Sequence, residues 1–233
     1  MLTVTNISKS FTREGREDLL VLNAIGFQLH AGKCMALMGA NGSGKTTLLN
    51  ILAGLIRCDD GHIMLDDLDI CRLDSHKIAK AVGYVNQNSY KSISSELRVG
   101  EVIALAANRN SNLSFRKPQS STALDYISST NVHIAEFLSD NDDIKSEILS
   151  GGQRQLLAIV SAILGNPKML LLDEHLSSLD QNFKNSVNDL ITTYIHQNEA
   201  IAIMVMHDEN IVSNLCSHKG VLKDSQLSVV EMV

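Results

Sequence analysis

The stretch from Cys34 to Leu52, CMALMGANGSGKTTLLNIL, constrains this chain more than any other. Met35 to Met38 is an apolar run of strand length. Gly39-Ala40-Asn41-Gly42-Ser43-Gly44-Lys45-Thr46 then meets G-x-x-x-x-G-K-[ST] at every fixed position, with Thr47 directly after it. A helix follows, carrying Leu48, Leu49 and Leu52 on one face. Strand, glycine loop and helix in this order are the setting in which the pattern cradles phosphates. The glycines let the backbone curl so that successive N–H groups converge on an anion. The positive end of the helix dipole faces the same point. In such a loop Lys45 reaches the terminal phosphates and the Thr46 hydroxyl ligates Mg²⁺. A turn that only capped a helix would need neither residue.

The rest of the composition narrows the class. With 233 residues, 44% of them hydrophobic and 20% charged, the chain can bury a real core. A formal net charge of -6 offers no basic field, so nucleic acid is not an expected partner. The N-terminal MLTVTNISKSF lacks the apolar centre of a secretory signal. No apolar run nears the roughly 20 residues that a membrane helix needs. Cys34, Cys58, Cys71 and Cys216 are scattered, which suits a reduced cytosolic protein and argues against a zinc site or disulfide framework. Proline is scarce and no linker interrupts the chain, so residues 1–233 are expected to form one lobed domain.

Leu2 to Ile7 alternates as a half-buried strand, Thr12 to Asp18 is a polar hairpin loop, and Leu19 to Leu29 is a second strand. Asp59-Asp60-Gly61 reads as a turn, followed by a small hairpin around Asp66-Asp67. Ala81 to Val85 is a short strand ending at Asn86-Gln87. Arg98 to Ala107 has helical spacing, 108–121 is polar and holds Pro118, and Ser121-Thr122 can cap a helix bearing Leu124 and Ile127. Ile134 to Leu138 reads as another short helix. Ser150-Gly151-Gly152 breaks the chain before a helix from Gln153, closed by Gly165-Asn166-Pro167. Met169 to Leu172 and Ala200 to Met206 are strands apolar on both faces, with an amphipathic helix from Phe183 to Gln197 between them. Alternating strand and helix with such strands predicts a mainly parallel sheet.

Taken together, these stretches resemble the ATP-binding subunit of an ABC transporter over nearly the whole chain. Gln87 stands at that family's Q-loop, and Leu149-Ser150-Gly151-Gly152-Gln153 is its signature unaltered. Met169 to Asp173 resembles Walker B, with Glu174 next. Ser178-Leu179-Asp180 matches the D-loop, and His207 matches the switch histidine. The resemblance implies an α/β P-loop NTPase (RecA-like) core with an N-terminal antiparallel β subdomain and an inserted α-helical subdomain. Residues 1–87 and 150–233 would form the nucleotide-binding core and residues 88–149 the helical part.

The resemblance also assigns roles. Asp173 ends a buried strand beside the glycine loop, where a carboxylate can hold Mg²⁺ through water; Thr46 and Gln87 are the other expected metal contacts. Glu174 is the expected general base for the water that attacks the γ-phosphate, against the plainer reading of a loop acid. His207 would donate to the γ-phosphate, with Lys45 completing the catalytic set. His175 has no assigned role. Phe11 has two open readings, a platform that stacks on adenine or a buried strand-end side chain. Ser150 and the amides of Gly151 and Gly152 form a second anion-binding helix start, which in the family contacts ATP held by another copy; Gln153 and Asp180 belong to that contact. The implied partners are a second copy of the chain and an integral-membrane permease with a solute-binding protein, at the cytoplasmic face of the membrane. Cys58-Asp59-Asp60 replaces the family's proline before Gly61. The Asp173-Glu174-His175 run and the stretch from Gln87 to Arg98 resemble bacterial importers. A soluble ABC ATPase of DNA repair or translation is the main rival, but such proteins carry coiled-coil insertions or two linked ATPase units. A GTPase would need N-K-x-D, which is absent. A degenerate, binding-only ATPase would not keep both Glu174 and His207.

Overall fold

The apolar runs of the sequence become the middle of one sheet. A computed structural model of the chain describes every residue except 13, 16, 88–92, 110–119, 177 and 233. The expected start of the helical part at Asn88 and the polar stretch around Pro118 lie outside the described residues.

The first half holds β1 (Leu2–Phe11), β2 (Leu19–Leu29), β3 (Cys34–Met38), α1 (Lys45–Leu52), β4 (Asp60–Leu65), β5 (Leu68–Asp69), α2 (Ser75–Ala81) and β6 (Val82–Val85). Three helices follow: α3 (Val99–Ala107), α4 (Ser120–Thr130) and α5 (Val132–Asp140). The second half holds α6 (Gly151–Leu164), β7 (Met169–Asp173), α7 (Gln181–Gln197), β8 (Ile201–Val205), α8 (Glu209–Leu215), β9 (His218–Lys223) and β10 (Gln226–Glu231). The larger sheet has the order β10-β9-β3-β8-β7-β6. All its pairs are parallel except β10 with β9. The smaller sheet, β2-β1-β4-β5, is antiparallel.

Successive side chains of a strand point to opposite faces, and here both faces are buried. Cys34 and Ala36, Leu170 and Leu172, and Ala202 and Met204 pack with the helices α3 to α7. Their neighbours Met35 and Leu37, Met169 and Leu171, and Ile201, Ile203 and Val205 pack with α1 and the antiparallel sheet. That is why these strands read as unbroken apolar runs. On α1, Leu48, Leu49, Ile51 and Leu52 fill the second core.

Four details differ from the expectation. Asp60 and Gly61 are already in β4, at a register shift where the β1–β4 pairing breaks between Thr5 and Ser8. Gly151 and Gly152 are the first residues of α6, not a break before it. The chain leaves α6 through Asn166, which takes the left-handed conformation (φ 48), while Gly165 stays right-handed. Finally, the cysteines that are scattered in sequence are paired in space as free thiols. Cys34 and Cys216 lie 2.9 Å apart and Cys58 and Cys71 3.7 Å apart. The first pair meets because β3 and β9 run side by side. No helix among the described residues is long and apolar enough to cross a membrane.

Candidate functional site

β3 ends at Met38 in the middle of the large sheet, between β8 and β9, and delivers the glycine loop to its carboxyl edge. A side chain at Gly39 would strike the Leu222 carbonyl of β9 at 2.4 Å, so the loop must begin with glycine. Gly44 adopts φ 105 and hands the chain to α1 without any side-chain cap. The first-turn amides of α1 are therefore left for another acceptor. The Lys45 side chain is buried and its Nζ donates to the carbonyls of Gly39 and Ala40 at 2.8 and 3.0 Å, holding it inside the loop. Ser43 Oγ is buried without a partner among the described residues. A free hydroxyl, an enclosed ammonium and uncapped amides together fit a phosphate chain.

The end of β7 brings two carboxylates to this loop. Asp173 closes β7 and its Oδ2 accepts from the Thr46 hydroxyl at 2.9 Å. Burial lifts the Asp173 carboxyl above its ordinary value; the Thr46 hydrogen bond opposes the lift, and the charge of Glu174 adds to it. A hydroxyl beside a buried carboxylate suits Mg²⁺, which takes one or two carboxylates and completes its shell with phosphates and water. The described residues contain no cluster of three His, Cys, Asp or Glu side chains that could hold a metal alone, so the Mg²⁺ reading needs those phosphates. Glu174 follows in the left-handed region (φ 49), unusual for a residue with a side chain and typical of functional strain. Its Oε2 accepts from Gln87 Nε2 at 2.6 Å, and its Oε1 lies 3.1 Å from His207 Nε2. Gln87 follows β6 and His207 follows β8, so three strand ends converge on one carboxylate.

An open cleft of about 550 Å³ unites the parts, lined by Phe11, Val21, Asn41, Gly42, Gly44, Lys45, Thr46, Thr47, Gln87 and Glu174. Phe11 is 38% exposed on the cleft wall, so it is not a core side chain. Lys9 Nζ stands 5.5 Å from its ring centroid. His175 turns the other way: it is buried, neither ring nitrogen has a partner among the described residues, and burial pushes its pKa down to about 3.

The signature lies apart from this cleft, since none of Ser150, Gly151, Gly152 or Gln153 lines it. Ser150 caps α6: its Oγ accepts from the Gln153 amide at 3.2 Å, while Gln153 Oε1 accepts from the Ser150 amide at 3.0 Å. Asp180 caps α7 by accepting from the Phe183 amide at 2.9 Å. Sequence reasoning missed Val21, whose Cγ1 stands where a side chain at Gly44 would go. It also missed Tyr84, pushed up to about 12 by burial and the charge of Asp173. The one signal for Val21 was its place in the apolar run Leu19 to Leu22.

Comparison with known proteins places this geometry. The family model described as ABC transporter matches residues 22–177. The Tyrosine transport ATP-binding protein of Clostridioides difficile is 34% identical over 212 residues, 89% of this chain and 82% of that one. Methionine import ATP-binding protein MetN 1 of Yersinia pestis is 27% identical over 97% of this chain, which spans 64% of its length. Among solved structures, a dimeric post-hydrolysis ATP-binding cassette bound to ADP and Pi superposes with a TM-score of 0.86 at 24% identity. That alignment covers 100% of this chain and 99% of the other.

Proposed function

The chain belongs to the ABC transporter family, whose ATP-binding subunits are ATPases, and from that membership we propose a division of labour among its residues. ATP lies with its phosphates in the Gly39–Thr47 loop and its base against Phe11. Thr46 and Asp173, with Gln87, would hold Mg²⁺, which when bound would offset the charge of the phosphates. Glu174 takes a proton from water as the water oxygen attacks the γ-phosphorus, and ADP departs with the other phosphates. His207 orients Glu174 and donates to the γ-phosphate. The carrying observation is the convergence of Gln87 and His207 on Glu174 at the rim of the cleft that holds Lys45.

The signature completes the site of another copy. Ser150, Gly151, Gly152 and Gln153 of one chain, with Asp180, face the γ-phosphate held by its twin across a two-fold axis. Residues 88–149 move as a helical unit against a core of 1–87 and 150–233. The two units border a groove of about 420 Å³ lined by Leu55, Tyr84, Ile93, Leu97 and Leu105. Leu55 and Leu105 stand 63% and 57% exposed on its wall, which suits a cytoplasmic helix of a membrane permease. The chain then sits at the cytoplasmic face of the membrane. The similarity to a methionine import protein supports the inward direction, in which a solute-binding protein delivers the solute.

The test is light scattering on Glu174→Gln with Mg-ATP and with Mg-ADP, repeated with Ser150→Arg added. A dimer with ATP only, lost when the bulky cation is added, is the expected result. A chain that stays monomeric at high concentration with Mg-ATP overturns the two-copy site.

A further inference from the structure

Arg154 stands out on α6. It is 1% exposed, among the largest fully buried side chains of the molecule, yet it carries a permanent charge. Its Nε donates to the Ser146 carbonyl at 2.9 Å, and its Nη2 donates to the carbonyls of Glu147 and Leu149 at 2.8 and 3.1 Å. The flat fork of a guanidinium reaches several carbonyls at fixed angles, which a lysine ammonium cannot do. All three carbonyls belong to the few residues that lead into Ser150.

That lead-in is tied elsewhere as well. Ser146 is fully buried; its hydroxyl donates to the Ser94 carbonyl at 2.6 Å and its amide to the Leu97 carbonyl at 2.9 Å. The amides of Val99 and Gly100 donate to the carbonyls of Ile144 and Asp142, and Arg98 Nη1 to that of Asp143. Residues 94–100 and 142–146 thus form a short seam, and Arg154 joins its end to the signature turn.

We infer that Arg154 is a positioning residue for the signature: by gathering three carbonyls it fixes the path into Ser150 and locks that turn to the seam that follows Gln87. This rests on the two-copy site proposed above. A signature turn free to wander would have to be ordered each time two copies close on ATP, and that ordering would weaken the closed dimer.

The experiment places Arg154→Met and Arg154→Lys in the Glu174→Gln chain and measures three things. Mg-ADP affinity of the single chain should stay within about twofold, because Arg154 does not touch the cleft. The concentration for half-dimerisation in Mg-ATP should rise at least about tenfold for Arg154→Met, with Arg154→Lys between it and the parent. Without nucleotide, amide exchange should quicken across residues 145–154 of Arg154→Met and stay unchanged in α1. A folded Arg154→Met chain that dimerises as its parent does overturns the inference. So does a loss of Mg-ADP binding alongside dimerisation, which marks general destabilisation. A parent that itself never dimerises ends the two-copy reading instead; the exchange arm then decides, and unaltered exchange at 145–154 dismisses Arg154 as well. If Arg154→Met does not fold, Arg154→Lys is read by the same three measurements.

Discussion

Two helices of this chain begin at glycine-containing turns, and they begin differently. α1 starts after Gly44, a residue with no side chain to offer, and its first amides have no side-chain cap. α6 starts after Ser150, which exchanges hydrogen bonds with Gln153, and its own Arg154 holds the carbonyls of the residues leading into it. Four N–H groups at a helix start need partners. At α1 they call for an anion from outside, so this end is a ligand site in its own right. At α6 the chain satisfies part of the demand itself, so this end is stable without a ligand. That suits half of a site whose other half belongs to a second copy.

The largest test of that contrast is catalytic. Glu174→Gln keeps the shape and reach of the side chain but loses its charge. Phosphate release should fall about 10²- to 10⁴-fold, the scale of general base catalysis, while ATP binding survives. Lys45→Ala should abolish ATP binding by the isolated chain, whereas Ser150→Ala should leave it intact in an equilibrium dialysis. Equal loss from the two would break the contrast, because both ends would then serve one chain.

Acid should separate the two regions next. Behind Glu174, the fold keeps His175 neutral by burial, with a pKa near 3 against about 6.5 in an unfolded chain. A depressed histidine stabilises the fold fully above pH 6.5 and withdraws that support as pH falls toward 3. By pH 5 the loss should reach about 2 kcal/mol. Urea titrations at pH 7 and pH 5 should show this drop, and His175→Phe should flatten it. The other region is held instead by the hydrogen bonds of Arg154 to three backbone carbonyls. An unchanged slope in His175→Phe would place the acid-sensitive group elsewhere.

Two smaller effects sharpen the picture. Ser150→Ala removes the cap of α6 and should cost about 1 kcal/mol of stability in urea, the usual worth of such a cap. Phe11→Ala should weaken nucleotide binding by at most about 1 kcal/mol, the scale of an aromatic stack. Unaltered ATP affinity would leave Phe11 as a wall of the cleft without a stacking role.

How much of this was legible depends on whether a residue answers to its neighbours in sequence or in space. The glycine loop, β2 and the central strands follow from local pattern, because period and glycine spacing are local facts. That Asp173 closes one apolar strand while Glu174 and His207 lie just past the ends of two was readable for the same reason, but the roles expected of them came only from the resemblance to the family. α2 was missed because only Ile78 and Ala81 of its residues are buried, too few to show a period. β9 and β10 were missed because their turn uses Asp224 and Ser225 with positive φ, where glycine or asparagine would have flagged a hairpin. Arg154 carried no local sign, since the carbonyls that explain it are set by the fold around it.

The position of β3 has a consequence for how the protein is made. Its two neighbours in the sheet, β8 and β9, come from the last quarter of the chain, and Leu222 packs its carbonyl against the first residue of the glycine loop. On a ribosome adding roughly 5–20 residues per second, the loop therefore waits about 10–40 s between its own synthesis and the arrival of β9. During that time a nascent chain exposes an apolar strand without its sheet partners, the condition in which chaperones are needed. Nucleotide, which needs the finished loop, can favour the folded state only after β9 has emerged.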